Sequence, residues 1–253
     1  MSDFETGIVL NDLHIPFHDK RAVNLVLKFI EWMKPSKIFL AGDILDHYEV
    51  SRFSKDPKRG ANLQDEMTKG RAFLLTLKAA SPKSKIIYIA GNHEHRLHKY
   101  IIANAPALTW IDGLQVPALL GLDKMGIEWV GCSADRFIDT YTQWGQLLIG
   151  HFNTCRSQSG ATARSLLEQF GISSIQGHCH SAGSANKTLH PNKQIASYEN
   201  GCLCDLHPHY TNPKNWQHSI CVIHKEVRGS YFQVQQIPII NAQFHFGGKH
   251  WRG

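Results

Sequence analysis

Eight polar side chains follow short apolar runs in this chain: Asp12, His14, Asp43, Asn92, His93, His151, His178 and His180. They are carboxylates, imidazoles and one amide. Such a mixed set suits borderline divalent ions such as manganese, iron or zinc. Calcium would want oxygen ligands throughout, and no thiolate cluster is offered. Seven ligands are too many for one ion but suffice for two if one carboxylate bridges. Two ions roughly 3.5–4 Å apart are a known device for in-line attack at phosphorus. His-x-His pairs alone are a poor signal. Sixteen histidines give about one such pair by chance, and three are present, at 93/95, 178/180 and 207/209. The informative feature is recurrence: five times an apolar run ends in a polar group, and Gly42, Gly91, Gly150 and Gly177 each stand directly before one.

The elements that must position these groups alternate. Gly7–Leu10, Lys37–Leu40 and Lys85–Ile89 are short apolar runs that predict buried strands. Between the first two, Val23, Val26, Leu27, Ile30 and Met33 repeat at helical spacing, with Asp19 as N-cap and Pro35 past the end. Leu63 to Ala80 predicts a second helix with Met67, Phe73, Leu74 and Leu77 inward, stopped at Ser81-Pro82. Strand, helix, strand, helix, strand implies a parallel sheet, whose ligands gather at the C-terminal strand ends. Residues 95–103 predict a helix, and 104–126 predict short helices joined by turns. A further strand is expected at 126–130. A hairpin follows, with arms 136–141 and 146–149 around Thr142-Gln143-Trp144-Gly145. Ala161–Phe170 predicts a helix ended by Gly171. Beyond it come a short strand at 174–177 and a β-rich tail, with turns at Pro191-Asn192 and Arg228-Gly229. One domain over 1–253 is the simplest account.

Asp12-x-His14, Gly42-Asp43, Gly91-Asn92-His93-Glu94, Gly150-His151 and Gly177-His178-x-His180 resemble, in order, the five motifs of calcineurin-like metallophosphoesterases. The resemblance spans residues 8–180. It implies an α/β fold, a four-layer α-β-β-α sandwich of two mixed sheets flanked by helices, with segment 181–253 completing the second sheet. It implies one ion held by Asp12, His14, Asp43 and His180. The other would be held by Asp43, Asn92, His151 and His178, with Asp43 bridging and a hydroxide between the ions as nucleophile. Manganese comes first among the candidate ions, with iron, zinc or nickel as the others. His93 would stand beside the phosphate as general acid or transition-state stabiliser. A free imidazole, with pKa near 6.5, can supply a proton at neutral pH.

Branch and substrate stay open. Ser/Thr protein phosphatases carry Gly-Asp-x-x-Asp-Arg-Gly, whereas Gly42-Asp43-Ile44-Leu45-Asp46-His47-Tyr48 lacks the arginine. DNA-repair nucleases of the SbcD type usually read Gly-Asn-His-Asp, and Glu94 departs from that. The chain looks more like short, stand-alone bacterial and phage phosphoesterases. Three readings stand: a phosphodiesterase, nucleic acid included; a phosphomonoesterase acting on nucleotides, small phosphates or phosphoproteins; and a non-catalytic scaffold. A formal net charge of +6 and a pI of about 9.0 favour an anionic partner. Arg52, Arg96 and Arg156 flank the motifs and could grip phosphate, since guanidinium forks fit its oxygens. His47 and Tyr48 could touch the leaving group. Cys202-x-Cys204 with His207 and His209 reads either as a tight zinc set or as two core-facing cysteines, and Cys179 reads as packing. Acidic residues near the N-terminus and scattered cysteines predict a reduced, cytoplasmic protein, and no apolar run approaches the ~20 residues of a membrane span. Oligomeric state is not readable. The aromatic tail from Phe244 to Trp251 could cover this domain or a second copy, with packing inside the chain preferred.

Overall fold

The computed structural model describes residues 3–53, 55, 62–131, 140–189, 191–208 and 215–253. Strand β1 (Phe4–Leu10) leads through helix α1 (Lys20–Met33) to β2 (Lys37–Ala41), then through α2 (Leu63–Ala80) to β3 (Lys85–Ile89). These strands pair in parallel, β1 with β2 and β2 with β3. Asp19 caps α1 as expected, its carboxylate accepting from the Arg21 and Ala22 N–H groups at 2.8 and 2.9 Å. Helix α3 (Glu94–Asn104) follows β3, and short helices α4 (Val116–Leu120) and α5 (Leu122–Met125) lead to edge strand β4 (Glu128–Val130).

The second sheet begins with β5 (Tyr141–Trp144) and β6 (Leu147–Gly150). Helix α6 (Ala161–Phe170), β7 (Ser173–Gln176), β8 (Ala182–Leu189) and β9 (Lys193–Asn200) follow. The chain then returns to the first sheet with β10 (His218–Glu226) and β11 (Phe232–Ile239). The orders are β11-β10-β1-β2-β3-β4 and β5-β6-β7-β9-β8. The expected four layers are present. One apolar cluster lies between α1, α2 and the first sheet, with Ile8, Leu10, Ile38, Leu40, Ile86 and Tyr88 on the sheet side. A second lies between the sheets, where Val9, Phe39, Ile87 and Ile89 meet Trp144, Leu147, Ile149 and Ile175. Leu166 of α6 covers the outer face of the second sheet with Leu148 and Phe152. Strands buried on both faces need apolar residues at every position. That is why the first three read as unbroken runs.

Two expectations are corrected. Residues 181–253 do not all complete the second sheet. Strands β8 and β9 do, but β10 pairs antiparallel with β1 and carries β11 to that sheet's edge. Apolar alternation identifies a strand without saying which edge receives it. The hairpin turn is also displaced. It is the two-residue loop Gly145-Gln146, with Trp144 opposite Leu147. Trp144 is drawn into β5 because its ring is buried between the sheets, 5.5 Å from the Phe39 ring. Gly145, at φ +66°, then makes the turn. Residues 136–139, most of the first expected arm (136–141), lie outside the described residues, as does Cys132.

The tail forms a last hairpin, β12 (Gln243–Phe246) and β13 (Lys249–Arg252), joined by Gly247-Gly248. It covers α1 of its own chain. The Phe29 ring stands 5.1 Å from Phe244, 5.1 Å from Phe246 and 5.2 Å from Trp251, all edge-on. Trp251→Ala should remove this lid's anchor and lower unfolding free energy by about 3 kcal/mol in urea titrations. A loss below about 1 kcal/mol would mean the hairpin is an appendage.

Candidate metal centre

Every expected ligand leaves the C-terminal end of a parallel strand or the loop just past it. Asp12 and His14 follow β1, Asp43 follows β2, Asn92 and His93 follow β3, His151 follows β6, and His178 and His180 follow β7. Five of the seven, Asp12, His14, Asp43, His178 and His180, have φ between +50° and +73°. Left-handed backbone costs a non-glycine residue of order 1–3 kcal/mol. It turns consecutive side chains out of the sheet toward one point.

The glycines of two motifs permit close approach there. Gly42 has φ +85°, and a Cβ on it would run into the His151 ring. A Cβ on Gly91 would overlap the Asp43 carboxylate and its N–H. Glu94 fastens the same two strand ends. Its buried carboxylate accepts from the N–H groups of Gly91 (2.7 Å), Asp43 (2.9 Å), Ile44 (2.9 Å) and Leu45 (3.1 Å), and from the Tyr88 hydroxyl (2.8 Å).

Asp43 Oδ2 is central. It lies 3.2 Å from His151 Nε2, 3.6 Å from His93 Nε2 and 3.9 Å from His14 Nε2. On one side, His180 Nε2 is 3.0 Å from Asp12 Oδ1 and 3.1 Å from His14 Nε2. On the other, His151 Nε2 is 3.0 Å from Asn92 Oδ1 and 3.2 Å from His178 Nδ1. Ligand atoms of Asp43, His151 and His178 all lie within 4.8 Å of one another, as do those of His14, Asp43 and His93.

The donor set asks for a cation. His151 Nδ1 is 3.0 Å from the Ala41 carbonyl, which can only accept, so Nδ1 carries hydrogen. A neutral His151 would then aim its Nε2 lone pair at carboxylate and amide oxygens. Only a proton or a metal ion relieves that repulsion. Burial opposes charge on His151, yet Asp43 overrides it and pushes the pKa up to about 9. Burial opposes charge on His180 too, and Asp12 with Cys204 pushes it likewise to about 9. Burial alone would raise Asp12, Asp43 and Asp46, but the surrounding imidazoles hold all three well below the usual carboxylate range. Ionised carboxylates and imidazole nitrogens on converging vectors fit divalent ions.

A sequence profile of calcineurin-like phosphoesterases matches residues 8–182. The chain belongs to the calcineurin-like phosphoesterase family. It is 27% identical over 258 residues to the "Gene 54 protein" of Mycobacterium phage L5, a match covering 96% of this chain and 97% of that protein. The protein of the same name from Mycobacterium phage D29 matches to the same extent. Among solved structures, a Vps29 variant from Entamoeba histolytica aligns with 95% of this chain and 96% of its own, at 10% identity and TM-score 0.47. Yfce, a phosphoesterase from E. coli, aligns over 93% and 100%, at 12% identity and TM-score 0.36.

In this calcineurin-like chain, two residues at the centre, Asp46 and Glu94, had no role assigned from the sequence, and a third, Cys204, was expected elsewhere. Asp46 Oδ1 lies 3.1 Å from His14 Nδ1 and 3.2 Å from His93 Nδ1, orienting both rings. Its signal was the second acid of Gly42-Asp43-Ile44-Leu45-Asp46. Glu94 stood in its motif with no task assigned. Cys204 Sγ is 3.7 Å from His180 Nδ1, so a buried thiol does adjoin the site. It is placed there by backbone bridges, His18 with Cys204 and Cys202 with His218. His207 is exposed and joins no group with the two cysteines among the described residues. His209 lies outside them. Cys179 is buried, its thiol pushed by burial up to about 12.

The expected substrate contacts divide. Arg96 donates to the Asp46 carbonyl at 2.9 Å and reaches His93 Nε2 at 2.6 Å. Arginine only donates, so His93 Nε2 accepts and its Nδ1 hydrogen goes to the Asp46 carbonyl, 2.9 Å away. Burial, helped by His14 and Arg96, also holds His93 below the usual histidine range despite Asp43. Arg52 is exposed beside Phe53. Arg156 is exposed in the loop before α6, and no contact among the described residues carries its guanidinium to the centre. His47 and Tyr48 are corrected. Both are buried. His47 Nδ1 bonds the His93 carbonyl at 2.9 Å, and the Tyr48 ring lies 6.3 Å from Phe17. The left-handed turn at His47 (φ +49°) directs it inward.

Glu94→Gln would set an amide N–H₂ against N–H donors. Metal affinity should fall about tenfold or more, measured by calorimetric titration with Mn²⁺; unchanged affinity would remove Glu94 from the positioning role. Ions bind unprotonated imidazole, while His151 and His180 keep their protons up to about pH 9. Mn²⁺ binding at pH 7 should therefore release protons, and affinity should climb as pH rises toward 9. Calorimetry in buffers of different protonation enthalpy reads this release; heats independent of buffer would contradict it.

Proposed function

We propose that this protein hydrolyses phosphodiesters, with nucleic acid as the substrate class. The observation that carries the reading is a cationic border on the ligand set. Arg96 touches His93, Arg52 stands exposed nearby, and the whole chain bears a formal charge of +6. A polyanion is drawn to such a surface. Arg96 already spends its fork on His93 and Asp46. That favours an internal phosphate over a doubly charged terminal one, which wants a fork to itself.

Asp12, His14 and His180 would hold one divalent ion and Asn92, His151 and His178 the other, with Asp43 shared. Manganese is the proposed metal. When bound, such a pair supplies Lewis acidity that activates water and offsets charge at phosphorus. The chain's own groups do the rest. Glu94 keeps Asp43 in place by holding its backbone N–H. Asp46 orients His14 and His93. Arg96, anchored on His93 Nε2 and the Asp46 carbonyl, faces the phosphoryl oxygens as donor. Neutral His93 has its Nδ1 hydrogen on the Asp46 carbonyl and its Nε2 accepting from Arg96. It has no free proton for a leaving group, which supports transition-state stabilisation through the Arg96 guanidinium over general-acid catalysis.

With Mn²⁺, bis-p-nitrophenyl phosphate should be turned over with higher kcat/KM than the monoester. Asp43→Asn should reduce that value at least about 100-fold. Monoester preference would move the protein to the phosphatase reading. Full activity in Asp43→Asn would dismiss this centre as the site of reaction.

A further inference from the structure

Phe53 is 61% exposed in the loop that follows the 3-10 turn Tyr48–Val50. A lone exposed aromatic is ordinary, but this one is embedded in cations. The Arg52 guanidinium carbon lies 5.7 Å from its ring centroid and that of Arg96 lies 6.0 Å away. Both are within the roughly 6 Å reach of a cation–π contact. Lys55 stands close by, its ammonium 4.8 Å from the Tyr48 ring centroid. Glu49 and Asp46 are the acids whose charge Lys55 feels there.

The patch is joined to the centre. Arg96 Nη2 reaches His93 Nε2 at 2.6 Å, and His93 Nε2 is 3.6 Å from Asp43 Oδ2. A chain of contacts thus runs from an exposed π-face through one guanidinium to the central carboxylate. A phosphate at the centre would have its neighbouring nucleoside within reach of the ring. Guanidinium groups take phosphate oxygens, and an aromatic face takes a base of any identity. A base inside a duplex already has both faces covered, so only an unpaired base can use the ring.

We infer that Phe53, with Arg52 and Arg96, is a stacking subsite for an unpaired base of single-stranded nucleic acid, next to the phosphate presented to the centre. The inference rests on the phosphodiesterase reading and narrows its substrate to single strands.

The test uses the full chain with a chelator present, so that binding is read without cleavage. A fluorescein-labelled single-stranded oligonucleotide is titrated and followed by anisotropy. Phe53→Ala should weaken its Kd about tenfold, while Phe53→Trp stays within about twofold of the parent. An abasic strand of equal length should bind parent and Phe53→Ala alike, as should the matching duplex. Equal binding of the base-bearing strand by parent and Phe53→Ala overturns the subsite. So does an equal loss on the abasic strand. A parent protein that binds no strand at all overturns the subsite together with the nucleic-acid reading. Bis-p-nitrophenyl phosphate hydrolysis reports separately whether the phosphodiesterase reading survives.

Discussion

The Glu94 carboxylate joins the ends of β2 and β3 through four backbone N–H groups and one hydroxyl. Strand ends expose N–H groups that need acceptors once they are buried. A single acid at the start of α3 supplies them all. It thereby sets the turn in which Gly42 and Gly91 lie almost in contact and Asp43 is aimed at the imidazoles. Burial and the Asp43 charge push the Glu94 pKa upward, while the N–H and Tyr88 bonds oppose that shift. Two acids in one buried turn are tolerable because one is saturated by backbone donors and the other faces imidazoles.

Around that turn the centre is built from mutual electrostatic need. Asp12, Asp43 and Asp46 are buried and ionised, and His14, His151 and His180 are drawn toward the protonated state by them. His178 and His93 go the other way. His178 is pushed down to about 4 by burial and by the neighbouring charge on His151, and His93 is lowered chiefly by burial. The grouping is costly in apolar surroundings unless positive charge is shared among the acids. Protons or divalent ions can supply it, and the converging lone pairs favour ions. Left-handed backbone at five of these residues adds strain that packing between the two sheets must sustain.

Much of the framework was legible because local physics wrote it. Asp19 caps α1, and α2 and α6 run over the spans that periodicity and their stops predicted. The strands that lead to the expected ligands were visible as apolar runs because both of their faces are buried. Legibility failed where an interaction reaches across the chain. Trp144 looked like part of a turn until burial against Phe39 pulled it into β5. The tail looked like one sheet's completion until β10 paired with β1. Cys204 paired by spacing with His207, yet a backbone bridge turned it to His180. His47 and Tyr48 sat beside a motif and so seemed poised for substrate, but a left-handed turn sent the histidine into the interior.

By itself the sequence determined which groups stand at the ends of which strands, and so the ligand types available to an ion. Those facts depend only on side-chain chemistry and on apolar periodicity, which are local. Tertiary structure decided that Asp43 Oδ2 lies among His14, His93 and His151, that Asp46 orients His14 and His93, that Glu94 holds the Asp43 backbone, and that His93 leans on Arg96. It also placed an exposed ring beside that arginine. Each of these is a distance between residues on separate elements or turns. Such distances exist only once two sheets have packed face to face and brought their strand ends together.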